Sequence, residues 1–154
     1  MSDRERTGIL KKFDERLWTL YGKPDGIVEG LFRAHIVGPI RPVKMRPSYT
    51  VTDGGQRAGD NDNDDAEEVI LTVRIAMHVC DQWEKQATIE EWTNRVETIK
   101  DYLRGRCEGF GVLKIKPIGD EHLDVVFLSG ATQGDWICDF EVRYFKEVDE
   151  YQEW

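Results

Sequence analysis

The sequence predicts an α+β fold, a mixed, mostly antiparallel β-sheet of four to six strands with helices packed on one face. Three observations predict it. Val69, Leu71, Val73, Ile75, Met77 and Val79 fall at every second position, and an extended strand places all six side chains on one face. Ile89, Trp92, Val96, Ile99 and Leu103 step by three and four, the stripe of a helix that needs a sheet to cover. Trp136, Cys138, Phe140, Val142 and Tyr144 alternate with Asp139, Glu141 and Arg143, as a half-buried strand requires. A chain of 154 residues is read as a single domain, long enough to bury a core without metal or disulfide support.

In chain order, a helix is predicted over about 4–21, where Ile9, Phe13, Leu17 and Leu20 recur at helical spacing. Gly22, Lys23 and Pro24 end it, by a permissive residue and one without a backbone donor. The stretch 27–37 fits helix and strand alike. Pro39, Pro42 and Pro47 punctuate 40–51, and proline in a sheet is confined to edges, strand starts and bulges, so an edge strand is expected there. Between 52 and 68 the composition turns to Gly54, Gly55, Gly59 and the run Asp60-Asn61-Asp62-Asn63-Asp64-Asp65. It holds too little apolar surface to offset the entropy of ordering, which predicts a flexible acidic loop at about 52–68. Asp60, Asp62 and Asp64 have the spacing of a calcium loop, but Asp65 replaces its glycine and Leu71 its bidentate glutamate.

The central strand follows, and its second face carries Ile70, Thr72, Arg74, Ala76, His78 and Cys80. That mixture suits partial cover or a subunit contact, with Arg74 and His78 as interface candidates. Asp81 to Gln86 is a polar bend in which Trp83 is a candidate interface anchor. Thr88 and Glu91 form a capping box, and Gly105 stops the helix they start. Strands are expected at 112–118 and 123–128, joined by a hairpin turn at Gly119-Asp120-Glu121. An acidic C-terminal tail at about 147–154 carries Tyr151 and Trp154, which either fold back on the domain or dock on a neighbour.

Lys and Arg total 21 against 30 Asp and Glu, a formal charge of -9. Such a chain repels phosphate backbones, which argues against a sequence-reading nucleic-acid binder while allowing a surface past which DNA slides. Cys80, Cys107 and Cys138 form no C-x-x-C pair and are read as reduced thiols. From the charged start and the lack of any apolar run of membrane length, the protein is expected to be made in and stay in a cytoplasm. There is no nucleophile elbow, phosphate loop, dinucleotide fingerprint or His-Glu-x-x-His. His35, His78 and His122 are far apart; His78 with Cys80 could offer two zinc ligands, though a strand histidine is more often simply hydrogen-bonded. Asp120, Glu121 and Asp124, or Asp135 and Asp139, could be argued into an acid/base pair, but so acidic a chain groups carboxylates without a catalytic role. No catalytic residue, metal or cofactor is expected.

An N-terminal helix, the proline-rich Ile40-Arg41-Pro42-Val43-Lys44-Met45-Arg46-Pro47, a long loop, the strand Ile70-Leu71-Thr72-Val73-Arg74-Ile75-Ala76-Met77-His78-Val79, a helix and closing strands ending in Trp136-Ile137-Cys138-Asp139-Phe140-Glu141-Val142-Arg143-Tyr144 follow one another in this chain. That layout, over about 4–148, resembles a tailed-bacteriophage tail terminator, one of the tail-completion and neck proteins. The resemblance implies a structural virion protein forming a ring, commonly of about six subunits, made in the host cytoplasm and ending in the virion tail or neck. Its partners would be copies of itself, the tail tube protein and the head-tail connector or stopper, with DNA passing through unbound and no membrane involved. Asp60, Asp62, Asp64 and Asp65 would face the lumen or a ring partner. Another phage neck or head-completion protein, a small enzyme and an acidic monomeric binding module are the alternatives.

Overall fold

A computed structural model describes residues 2–22, 32, 34–38, 47–60, 66–80, 86–105, 112–128 and 131–147. The elements are α1 (Ser2–Leu17) continuing into a π-helical turn (Trp18–Gly22), then β1 (Ala34–Val37), β2 (Ser48–Ala58), β3 (Ala66–Cys80), α2 (Gln86–Leu103), β4 (Val112–Leu128) and β5 (Ala131–Glu147). They form a five-stranded sheet in the order β1-β2-β3-β5-β4. β1 runs parallel to β2 and the other neighbours are antiparallel, so the α+β expectation holds and β3 is the middle strand.

Both helices cover the same face of the sheet. α1 and its π-helical turn bury Ile9, Phe13, Leu17, Leu20 and Tyr21, and α2 buries Trp92, Val96, Ile99 and Leu103. They meet Val69, Leu71, Val73, Ile75 and Met77 of β3 and the alternating Trp136, Cys138, Phe140, Val142 and Tyr144 of β5. Phe13 packs edge-to-face on Phe140 with ring centroids 5.5 Å apart. Each such side chain contributes about 1.5–3 kcal/mol of apolar burial, which locks the strand register, because a one-residue slip would turn this whole set to the other face. The π-helical turn depends on Gly22: a Cβ there would lie 2.0 Å from Trp18 Cε3.

Three expectations change. The strand expected at the sheet edge is β2, which has β1 on one side and β3 on the other. Pro47 stands just before its first paired residue, so the ladder loses no donor; Pro39 and Pro42 lie outside the described residues. The edge is β1, the ambiguous stretch. Strand structure also claims both flanks of the 52–68 loop, since β2 runs to Ala58 and β3 starts at Ala66. Gly54 and Gly55 mark a register shift between Asp53 and Gln56 inside the ladder, with Gly55 at φ 98°, a conformation glycine adopts without strain. Finally, the 119–121 turn is absent, and β4 is one strand paired along β5 through Gly119, Asp120 and Glu121. A register shift between Pro117 and Gly119 absorbs the proline.

Candidate functional site

The face of the sheet turned away from the helices is built from the even positions of β3 and the odd positions of β5. The antiparallel register sets Ile70 beside Arg143, Thr72 beside Glu141, Arg74 beside Asp139 and His78 beside Asp135. Opposite charges directly across a ladder attract. Arg74 meets Asp139 through two bonds, Nε to Oδ1 at 2.9 Å and Nη2 to Oδ2 at 3.1 Å. This carboxylate and its hydrogen bonds hold the guanidinium above its ordinary pKa. Nearer the β2–β3 end a chain of charges crosses three strands. Arg57 Nη2 lies 3.1 Å from Glu141 Oε1, Arg143 Nη2 lies 3.6 Å from that same oxygen, and Arg143 Nη1 lies 3.3 Å from Glu68 Oε1. Glu68 itself is only 1% exposed.

At the opposite end of this face His78 Nδ1 lies 2.9 Å from Asp135 Oδ1 and Nε2 lies 3.1 Å from Thr50 Oγ1. With its proton on Nδ1 the ring donates to the carboxylate and accepts from the hydroxyl. The order of groups is that of an acid, a base and a nucleophile. Thr50, however, is 0% exposed and His78 2%, so a substrate has no approach to the hydroxyl and the network ties β2, β3 and β5 together. Both ring nitrogens of His78 are thus engaged within the sheet. Among the described residues, the neighbouring Ser48 Oγ is buried with no hydrogen-bond partner.

Of the other expected residues, Asp60 is exposed and its N–H donates to Glu68 Oε1 at 3.3 Å. Asp62, Asp64, Asp65, Trp83, Tyr151 and Trp154 lie outside the described residues. Of the carboxylates considered for acid/base work, Asp120, Asp135 and Asp139 are engaged in pairs with other side chains. Asp120 accepts from Lys100 Nζ at 2.8 Å and from Trp136 Nε1 at 3.0 Å, and Lys100, bonded to Asp120 and Glu97, has its pKa raised.

A second cluster was not anticipated. Asp14 Oδ1 accepts from the Tyr49 hydroxyl at 2.7 Å and meets His35 Nδ1 at 2.7 Å, and His35 stacks on Trp18 with centroids 4.0 Å apart. Burial and this carboxylate push the Tyr49 phenol well above its ordinary pKa. The cluster fastens the edge strand to the first helix. Among the described residues no group of three or more His, Cys, Asp or Glu could hold a metal, and no helix is long and apolar enough to cross a membrane.

No model of a protein family matches this sequence, and no curated protein matches it. Among solved structures, the chain is similar to one from the virion of a native gene transfer agent particle. The TM-score is 0.46 and the identity 13%, over 71% of this chain and 78% of that one.

Proposed function

We propose that this chain is a structural virion protein that joins copies of itself head to tail into a ring of about six, closing the end of a phage tail tube and presenting its other side to the head connector. The single observation that carries this reading is the unequal treatment of the two sheet faces. Two helices bury one face, while the other presents ion pairs arranged across strands. A unit that assembles head to tail needs two different patches, and the layout resemblance to tail terminators supplies the kind of assembly. In this reading Asp60, Asp62, Asp64 and Asp65 face the lumen or a ring partner, where like charge keeps DNA moving instead of binding.

The formal charge of -9 favours one second reading, an acidic monomeric module that imitates nucleic acid. Negative-stain microscopy of the purified chain, alone and mixed with tail tubes, separates the two. Rings with a central hole, or one extra layer of density at a tube end, support the terminator reading. Bare tube ends together with tight binding to a nucleic-acid-binding protein support the module.

A further inference from the structure

On the open sheet face the cations stand above the carboxylates. One row of the ladder reads Arg57, Ile70, Arg143 and Lys114 from β2 across to β4, and the next sets Lys116 beside Glu141. The Arg57 side chain is 64% exposed and that of Glu141, its partner, 15%; Arg143 is 33% exposed over Glu68 at 1%. Lys114 and Lys116 are exposed. In a chain of formal charge -9, the outermost layer of this row is therefore positive. The exposed side of α2 inverts that layering. Glu90, Asn94, Glu97 and Asp101 step by four and three, on the opposite side of the helix from the buried Trp92, Val96, Ile99 and Leu103. Glu97 is 60% exposed, whereas Lys100 beside it is 16% exposed and reaches down to Asp120; Asp101 is 75% exposed. Arg95 lies over the Trp92 ring at 5.1 Å, and Arg104, 4.0 Å from Asp101, stands beyond the end of the stripe. The lengths agree as well: three strand spacings carry the row over about 14 Å, and the helix rises about 16 Å from Glu90 to Asp101. We infer that the acidic stripe of α2 in one copy lies across the Arg57, Arg143 and Lys114 row of the next. This rests on the proposed head-to-tail assembly and names its two patches. They lie on opposite sides of the fold and each repels its own kind, so the contact is heterologous.

Sedimentation velocity on the full-length chain and two charge-reversed variants tests it. Arg57→Glu with Lys114→Glu makes the row acidic, and Glu97→Lys with Asp101→Lys makes the stripe basic. Each variant alone is expected to associate about a hundredfold more weakly than wild type. An equimolar mixture is expected to return to within about tenfold of wild type, because a reversed row then meets a reversed stripe and a native row a native stripe. Urea midpoints check folding. If a reversed variant does not fold, Arg57→Gln with Lys114→Gln and Glu97→Gln with Asp101→Gln carry the test, each expected to weaken association about tenfold. Association unchanged in either variant, or a mixture no stronger than its parts, overturns the inference and leaves the ring to other surfaces. Unchanged association with binding to duplex DNA that Arg57→Glu and Lys114→Glu abolish overturns it in favour of a phosphate backbone on the row. A wild type that stays monomeric at every concentration, with tail tubes present as well, overturns both the inference and the ring.

Discussion

At Asp53 one carboxylate joins the first helix to the bulge of β2. Arg6 donates to it through Nε and, at 2.6 Å, through Nη2, and the Gly55 N–H adds a third bond at 2.8 Å. The hydrogen bonds from Arg6 hold the carboxyl below its ordinary pKa against the opposing effect of burial. Because the folded value is depressed, the contribution is complete above the unfolded value of about 3.9 and is lost as pH falls through the folded one. Asp53→Asn is expected to lower stability by about 1–2 kcal/mol at pH 7, a figure discounted for partial exposure. In urea titrations the gap to wild type should close as the pH drops below 4; a gap that stays constant from pH 7 to pH 3 contradicts the assignment. Burial pushes the Cys138 thiol up to about 12, so at pH 8 only about one molecule in ten thousand carries the reactive thiolate. Mass mapping after brief alkylation should find Cys138 unmodified in the native protein and modified in urea, and rapid native labelling would show the site to be open.

Among the elements, those with strict periodicity were legible beforehand. β3, β5 and α2 each repeat apolar residues at strand or helix spacing for nine residues or more, and the burial of most of each predicted stripe follows from that pattern. β4 was not legible as one strand, because its continuity comes from a long partner and not from its own residues: Gly119, Asp120 and Glu121 read locally as a turn, whereas the seventeen-residue β5 holds them in line. Glycine misled at β2 for the same reason, since Gly54 and Gly55 form a bulge that needs β3 beside it. Two predictions belong here. Phe13→Ala, which empties the contact with Phe140, should cost about 3–5 kcal/mol by chemical denaturation; a loss under 1 kcal/mol would mean α1 is not docked through this ring. Hydrogen exchange across 119–121 should show slow amides where β4 bonds to β5, and uniformly fast exchange would restore the turn.

For the molecule as a whole, the sequence disclosed composition but not arrangement. Its excess of acid and its central strand with one mixed face were visible in the residue order. The pairing of Arg57 with Glu141, 84 positions apart, was not, because it exists only once two registers across three strands are set. Arg74 was legible as a surface residue of that face. The burial of His78 was not, because Asp135 and Thr50 reach it from strands far away in sequence. Edge chemistry limits how copies can meet. Lys114 and Lys116 are exposed on β4, and Gly105 bonds to Ile115 in both directions. With Pro117 and the register shifts, these guard the strand against simple edge-to-edge extension, so assembly is expected through side-chain surfaces. Sedimentation equilibrium of the full-length chain over a wide concentration range tests the central claim, that the protein acts by assembling with copies of itself. The account predicts a closed species near six times the 17.9 kDa chain, about 107 kDa, with no larger series; a 17.9 kDa monomer at every concentration, with and without tail tubes present, would contradict it.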